Sequence, residues 1–412
     1  MTDRQSNQAL EILRHAATLV VIRVASPGFE VLLMRRADKG DRNSGAWVFP
    51  GGLVDRADHL CHPYCTGLDD AAASHRLGVA RGGLDYYVAA IRETFEEAGL
   101  LFAVGESGER LGVDGVRRAY LSSMRGPLNQ GNIEFAAVCQ TQRLRLAAHM
   151  LHYIAHWITP VGMPKRFDTR FFLAVFADEQ LVEHDNAEVV EHGWFNPASL
   201  LADPGERRLL GVTRSTLKLM SGFGTLEALM RWAASPRVVK TMLRRRCRDA
   251  AGAQTVLPDH PAWAEIGLLD PQGKGLAWCE LRIGERVRLS PFVQRLTHAG
   301  GNTYLVGDIV NGWVVIDPRD SEQMQKAMME NLDNGTPTVV MTGQPVSAEP
   351  IHLGESLTLK PIATPDGTGW LLVEERMAFM GRWRPPQSES SIALRASADW
   401  IAPREGFLIQ LI

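Results

Sequence analysis

The chain has few cysteines and almost no net charge. Its 412 residues include five cysteines, 44 Lys and Arg, and 47 Asp and Glu, which gives a formal net charge of −3. Five scattered cysteines are too few for a disulfide framework, and a reducing compartment would keep them as thiols. A net charge this close to zero disfavours nucleic acid as the main partner.

Long apolar runs are also missing. The stretch Ala16–Ile22, interrupted by Thr18, falls far short of the roughly 20 apolar residues that a membrane helix needs. Residues 1–7 lack the basic patch and following apolar stretch of a secretory signal. These absences predict a cytoplasmic protein with no membrane partner. Hydrophobic residues make up 45% of the chain and charged residues 22%, which is typical of globular proteins, and the length indicates two domains.

The first half alternates between strand and helix patterns, which predicts one α/β domain with a mixed sheet. The best helix is expected at 84–102, where apolar residues recur at helical spacing and Gly99 lies near the end. Residues 112–150 are also expected to be mostly helical. Strands are predicted at 18–24, 30–34, 46–49, 152–159, 169–176 and 189–195.

The second half opens with a segment rich in Leu, Met and Arg at helical spacing. We expect a helical extension over 206–255, and we favour a solvated helix end over a nucleic-acid contact for Arg244–Arg246. Prolines and turn-forming residues near 255 then predict a domain boundary. Renewed strand character is expected at 276–289, 303–307 and 312–317.

Three glutamates within the predicted helix carry the strongest chemical signal. Glu93, Glu96 and Glu97 stand at i, i+3 and i+4, and therefore share one helix face. Like charges at this spacing repel unless a hard cation with oxygen ligands binds between them, and Mg²⁺ fits that chemistry. Taken alone, the spacing favours an exposed acidic face over a metal site.

Two segments together resemble the Nudix box. Phe49-Pro50-Gly51-Gly52 lies upstream of Arg92-Glu93-Thr94-Phe95-Glu96-Glu97-Ala98-Gly99-Leu100. The sequence departs from the family pattern in three ways: Asp58 replaces the first Glu, a long insertion at about 59–88 replaces a short spacer, and Thr94 replaces an apolar residue. The resemblance implies a Nudix α/β/α sandwich with a mixed sheet over 15–205.

The insertion resembles one branch of this family, the coenzyme A diphosphatase-like Nudix proteins of peroxisomes and their bacterial relatives. Residues 45–55, 156–160 and 166–172 are similar to that branch in the same order. The resemblance implies Mg²⁺- or Mn²⁺-dependent hydrolysis of a diphosphate linkage in coenzyme A, an acyl-coenzyme A or a related nucleoside diphosphate derivative. The alternative is a non-catalytic nucleotide-binding sensor or scaffold protein.

The resemblance also implies roles for individual residues. Glu93, Glu96 and Glu97 would hold the metal, with the Gly52 carbonyl completing the ligand set, and Arg92 would pair with a box carboxylate and fix its rotamer.

Two further roles are open at this point. The general base is either a box glutamate or a later carboxylate, Glu188 or Glu191. Four arginines are candidates for substrate phosphate contacts, with surface ion pairs as the alternative: Arg35, Arg36, Arg166 and Arg170.

The insertion contains a group of histidines and cysteines. Their spacing lacks the second downstream pair of a zinc finger, so an ordinary substrate-side loop is favoured over a zinc knuckle. The residues are His59, Cys61, His62, Cys65 and His75.

Residues 277–412 resemble a truncated metallo-β-lactamase-like αβ domain. The similar segments include 301–307, 313–318, 339–342 and 379–381. Gly343-Gln344-Pro345-Val346-Ser347 stands where that family has its histidine cluster, and His298 and His352 are the only histidines beyond residue 277. We therefore expect no zinc here. The predicted role is structural, with homodimerisation or ligand gating left open.

Overall fold

The computed structural model describes residues 13–26, 28–40, 43–106, 108, 115–176, 182, 189–318, 337–344, 349–364, 367–381, 398–403 and 405–410. The chain divides into two compact units. The first contains Met1–Thr159 and Lys165–Met242, and the second contains Pro160–Pro164 and Leu243–Ile412. Across the described residues, no helix is both long and apolar enough to cross a membrane.

The N-terminal unit is built on a nine-stranded mixed sheet. Its strands, together with the small β5–β6 pair, are β1 (Leu13–Val24), β2 (Phe29–Arg36), β3 (Ala46–Val48), β4 (Gly51–Leu53), β5 (Ala103–Val104), β6 (Arg145–Leu146), β7 (His152–Ile158), β8 (Arg166–Val175), β9 (Val189–Phe195), β10 (Arg208–Leu209) and β11 (Thr241–Leu243). The main order is β10-β3-β2-β1-β8-β7-β11, with β4 paired to β1 and β9 paired to β2. Because β1 runs parallel to β8 and antiparallel to β2, the predicted mixed sheet is confirmed.

Helices cover this sheet. They are α1 (Asp70–Leu77), α2 (Gly83–Ala98), α3 (Gly115–Asn129), α4 (Phe135–Thr141), α5 (Pro197–Ala202), α6 (Gly211–Met220) and α7 (Leu226–Ala234), with short 3₁₀ helices at Asp58–Tyr64 and Ala148–Met150. Helix α2 packs its apolar side on one sheet face, where Tyr87 and Ile91 share a core with Leu19 and Met34. It ends at Gly99, whose φ of 72° suits glycine, and so stops before the predicted 102.

The long insertion is helical and does not form the loop that we expected. It contains the first 3₁₀ helix and α1, and it leads directly into α2. Cys61 and Leu77 are buried in the same core as α2. The insertion therefore packs against the helix that carries the three glutamates.

The helical extension predicted for 206–255 is only partly correct. Helices α6 and α7 lie there, but α7 ends before Pro236, because proline disfavours helical backbone in the preceding residue. The chain then forms a hairpin of β12 (Arg245–Asp249) and β13 (Gly252–Val256). Its inward residues, Cys247 and Val256, are buried in a small apolar cluster.

The arginines of this segment do not form a solvated helix end. Arg245 and Arg246 lie on β12, half-buried, and donate hydrogen bonds to main-chain carbonyls. Their guanidinium groups are hydrogen-bonded within the protein. Their position therefore gives no support to a nucleic-acid contact.

The second unit contains the β12–β13 hairpin, helix α8 (Trp263–Leu269) and two larger sheets. The five-stranded sheet contains β14 (Arg286–Arg288), β15 (Val293–His298), β16 (Gly301–Asp308), β17 (Gly312–Ile316) and β18 (Thr338–Val340). The six-stranded sheet contains β19 (Ile351–Leu353), β20 (Leu357–Thr364), β21 (Gly367–Leu372), β22 (Met377–Gly381), β23 (Trp400–Pro403) and β24 (Ile409–Gln410). Only β14 falls within the strand predicted at 276–289.

One core joins the two larger sheets. Tyr304 of β16 and Phe379 of β22 meet edge to face, with ring centroids 5.2 Å apart. The short segment Pro160–Pro164 also belongs to this second unit, where Gly162 lies against the backbone of Gly273 so closely that a side chain would collide. The second unit is thus β-rich over its described residues.

Candidate metal and diphosphate site

The two glycines after β3 lie directly against helix α2. Strand β4 places Gly52 beside Ala17 of β1, on the sheet face that α2 covers. A side chain at Gly52 would collide with the Glu93 carboxylate, and the Gly51 N–H donates a hydrogen bond of 3.0 Å to Glu97 Oε2. The two distant parts of the sequence motif therefore meet at the carboxylates.

Arg92 lies at the centre of a buried carboxylate cluster. Its Nε is 2.8 Å from Asp58 Oδ1, and its Nη1 is 2.9 Å from Glu93 Oε1 and 3.2 Å from Glu96 Oε2. Its Nη2 donates to the Leu53 carbonyl at 2.8 Å. The structure thus places Arg92 where it can orient two of the predicted metal ligands, with Asp58 at the start of the first 3₁₀ helix as its partner.

Burial dominates the electrostatics of this cluster. Desolvation raises the pKa of Glu96 to about 7 and raises the pKa of Asp58, although Arg92 acts to lower both. Burial alone would lower the pKa of Arg92, but its hydrogen bond to Asp58 and the neighbouring carboxylates raise it above its ordinary value. One cation faces several carboxylates, so the cluster favours a further positive charge.

The donor chemistry fits a hard divalent cation. Glu93, Glu96 and Glu97 offer carboxylate oxygens from a single turn of helix, and such oxygens are the ligands that Mg²⁺ prefers. Within the described part of the chain, no group of three or more His, Cys, Asp or Glu side chains is already arranged around a metal position. In the structure, Arg92 donates hydrogen bonds to both Glu93 and Glu96.

Arg125 is a residue near the site that the sequence did not reveal. It lies on α3, is only 7% exposed, and donates hydrogen bonds to the main-chain carbonyls of Glu96 and Glu97. Every residue has a main-chain carbonyl, so the sequence contains no pattern that predicts this contact.

Two substrate candidates, Arg35 and Arg166, have partners within the protein. Arg35 Nε is 2.8 Å from Glu191 Oε2 on the neighbouring strand β9. Because Met34 packs in the core under α2, Arg35 and Glu191 project from the opposite sheet face. Arg166 Nε donates to the Thr159 carbonyl at 3.1 Å.

Arg36 and Glu188 complete this set of candidates. Arg36 is half-buried at the end of β2. Glu188 lies outside the described residues.

Arg170, the fourth candidate, is buried in a polar cluster under α2. It is 5% exposed, pairs with Asp168, and lies over the Tyr86 ring at 4.7 Å. Asp168 also accepts a hydrogen bond from His156 Nε2 at 2.6 Å. Although burial acts to raise the pKa of Asp168, the hydrogen bonds from His156 and Arg170 hold it below its ordinary value. In this position Arg170 ties β8 to α2.

His62, Cys61 and Cys65 of the insertion take part in ordinary contacts. His62 Nε2 is 2.7 Å from Asp85 Oδ1 of α2, and the Cys65 thiol donates to the Cys61 carbonyl at 3.5 Å. Cys61 and Cys139 are fully buried thiols. These contacts join the insertion to its surroundings.

Comparison with known proteins finds a family match within the first half of the chain. Residues 69–209 match the NUDT19 Nudix domain. The acyl-coenzyme A diphosphatase NUDT19 of Xenopus laevis is 27% identical over 249 residues, covering 48% of this chain and 66% of that protein. The human protein of the same name is 29% identical over 203 residues, covering 42% of this chain and 54% of that protein. The chain thus spans between about half and two thirds of these relatives.

A solved structure is also similar. The crystal structure of a Nudix hydrolase from Alicyclobacillus acidocaldarius has 29% sequence identity and a TM-score of 0.44, and the alignment covers 54% of this chain and 97% of that one. For residues 277–412 these matches give no family, and the metallo-β-lactamase resemblance stays a prediction. The matched range contains the helix that carries the box glutamates, so residues 69–209 are similar to the Nudix domain of the NUDT19 branch.

Proposed function

We propose that this protein hydrolyses the diphosphate linkage of coenzyme A, an acyl-coenzyme A or a related nucleoside diphosphate derivative, with Mg²⁺ or Mn²⁺. The observation that carries the proposal is the contact of Gly51 and Gly52 with Glu97 and Glu93, which assembles both parts of the box at one place. Similarity to proteins named acyl-coenzyme A diphosphatases supports the substrate class.

In this proposal Glu93, Glu96 and Glu97 hold the metal, together with the Gly52 carbonyl. A bound Mg²⁺ would neutralise the diphosphate oxygens and favour attack by water on phosphorus. Preorganised charge and geometry of this kind supply most of the acceleration in phosphoryl transfer.

The protein's own residues prepare this arrangement. Arg92 holds Glu93 and Glu96 in place, Asp58 anchors Arg92, and the Gly51 N–H orients Glu97. These contacts restrict the rotamers of the glutamates before any ligand binds, so less conformational entropy is lost on binding.

The general base is best proposed among the box glutamates. Glu191, the described alternative, pairs with Arg35 on the sheet face away from α2. Phosphate contacts by Arg35, Arg36 and Arg166 stay proposals, whereas the burial of Arg170 favours a structural role for it. Similarity to proteins named diphosphatases disfavours the alternative of a non-catalytic sensor.

We also propose that the second unit is a metallo-β-lactamase-like scaffold without zinc. Two sheets sharing one core support this proposal. So does Asp317, which accepts hydrogen bonds from the Thr342 N–H at 2.7 Å and hydroxyl at 2.6 Å, because both residues belong to the segments that carry the resemblance. A structural role is proposed, with homodimerisation or ligand gating as alternatives. A cytoplasmic location is proposed for the whole protein.

The test is a substrate panel. Purified protein is incubated with Mg²⁺ and coenzyme A, acyl-coenzyme A, ADP-ribose and nucleotide sugars, and the products are identified by mass. Coenzyme A should give 3′,5′-ADP and 4′-phosphopantetheine. Strong preference for ADP-ribose or nucleotide sugars would contradict the proposed substrate class.

A further inference from the structure

The last turn of α2 carries two of the proposed metal ligands at its electrostatically unfavourable end. The backbone dipoles of a helix place negative partial charge at its C-terminus, where carboxylates are disfavoured and cations are favoured. Glu96 and Glu97 lie in this turn, and the helix has no basic residue there. Arg92 of α2 pairs with the Glu96 side chain, so a cation at the C-terminal end of the helix itself has to come from another element.

The same turn leaves main-chain carbonyls without intrahelical partners. The last four carbonyls of an α-helix have no N–H donor within the helix, and buried acceptors that stay unpaired cost free energy. The Gly99 N–H bonds to the Phe95 carbonyl, which leaves the carbonyls of Glu96 and Glu97 to be paired from elsewhere. Both residues are buried, at 8% and 7% exposure, so water has little access to them.

Arg125 of α3 meets both needs. Its Nη2 lies 2.8 Å from the Glu96 carbonyl and 3.0 Å from the Glu97 carbonyl, and its Nε lies 3.1 Å from the Glu96 carbonyl. One planar guanidinium therefore fixes two consecutive peptide units while placing a permanent positive charge at the helix end.

We propose that Arg125 is a positioning residue for the metal site, acting through the backbone of Glu96 and Glu97. The direction of each carboxylate depends on the φ and ψ angles of its own residue, so loosening this turn displaces two ligands at once. This inference rests on the proposed function, because it takes these glutamates as metal ligands. It assigns a role to a residue that lies outside the box and touches neither metal nor substrate.

The test measures Mn²⁺ binding directly, by the loss of the free Mn²⁺ signal in electron paramagnetic resonance. Arg125→Gln should weaken Mn²⁺ binding by about tenfold or more, the range seen when groups that orient metal ligands are removed. Arg125→Lys, which keeps the charge and one donor group, should recover part of the affinity. In turnover assays, kcat should fall while KM for coenzyme A changes less than about threefold.

Arg117→Gln is the matched control. Arg117 lies on the same helix and also donates to a main-chain carbonyl, that of Gln142, away from α2. Arg117→Gln should leave Mn²⁺ affinity unchanged, even if it lowers the unfolding temperature as much as Arg125→Gln does. A merely structural role for Arg125 predicts equal Mn²⁺ affinity in both folded variants. If Arg125→Gln does not fold, the comparison of Arg125→Lys with Arg117→Lys decides in the same way.

Glu97→Gln tests the metal site separately from the role of Arg125. If this change leaves Mn²⁺ affinity unaltered, the metal site itself is wrong, and the role of Arg125 falls with it. If Glu97→Gln weakens Mn²⁺ binding while the Arg125 variants do not, only the role of Arg125 is refuted. Hydrolysis of some other substrate would refute the proposed substrate but leave this inference standing.

Discussion

Arg92 and Asp58 form a buried ion pair, with Nε 2.8 Å from Oδ1, that joins helix α2 to the 3₁₀ helix of the insertion. Asp58 stands at the position of the first box glutamate, and the structure uses it to hold Arg92. The insertion therefore separates Asp58 from α2 in sequence without separating them in space.

This pair predicts a measurable stability effect. Asp58→Ala leaves the buried Nε of Arg92 without its acceptor, while Glu93 and Glu96 still face the guanidinium, so the free energy of unfolding should fall by about 2–3 kcal/mol, measured by urea denaturation. The exposed pair of Arg23 and Glu30 is the control, and Glu30→Gln should cost at most about 1 kcal/mol. Equal effects of the two changes would contradict the structural role of Asp58.

Glu97 should be essential for turnover. Glu97→Gln removes a charge and a proposed ligand, so kcat should fall by at least about a hundredfold while circular dichroism stays that of the native fold. Hydrolysis by the wild-type protein should also require Mg²⁺ or Mn²⁺. Undiminished turnover in the folded variant would mean that the site lies elsewhere.

The close approach of Gly52 to Glu93 gives a second test of the site. Gly52→Ala places a methyl group against the Glu93 carboxylate, so kcat should fall by about tenfold or more, since small displacements of reacting groups are costly. Gly224→Ala is the control, because nothing lies within 4 Å of the added carbon. Full activity of Gly52→Ala would show that Glu93 can move without consequence.

Asp168 should make stability depend on pH. Its pKa in the folded protein is lower than its ordinary value of 3.8, so its contribution to stability is fully present above that value and is lost as the pH falls through the folded pKa. Asp168→Asn should therefore destabilise the protein most near neutral pH and less below about pH 4. Urea titrations at several pH values measure this difference, and a difference that grows towards low pH would reverse the assigned sign.

The second unit should bind no zinc stoichiometrically. Metal analysis of protein purified without chelator should find less than about one tenth of an equivalent, since two histidines cannot build a dinuclear zinc site of the metallo-β-lactamase type. His352→Ala should leave diphosphate hydrolysis unchanged, because His352 lies on β19 of the second unit. Two tightly bound zinc ions per chain, lost when His298 and His352 are replaced, would overturn the proposal.

The sequence predicted the elements whose pattern is locally complete. Strand β9 occupies the predicted 189–195, and α2 occupies most of its predicted range, because apolar periodicity and the terminal Gly99 define the helix. The box was also recognisable, because Phe49–Gly52 and Arg92–Leu100 together resemble the two ends of the Nudix box.

Longer-range contacts could not be predicted in this way. Arg125 binds main-chain carbonyls, which every residue has, so no partner stood out in the sequence. The burial of Arg170 with Asp168 depends on how β8 packs under α2, which local pattern does not specify. The hairpin β12–β13 was predicted as helix because its arginines are good helix formers and follow a segment rich in Leu, Met and Arg, whereas in the structure Cys247 and Val256 are buried on the inward side of paired strands.

The segment Pro160–Pro164 gives the second unit a discontinuous chain. Five residues of that unit are encoded between β7 and β8, far upstream of Leu243 where the rest of it begins. A chain cut at residue 242 would therefore separate the second unit from the loop Pro160–Pro164, which lies against Gly273. A chimera joined at residue 242 should therefore lose stability in the second unit unless Pro160–Pro164 are kept with it.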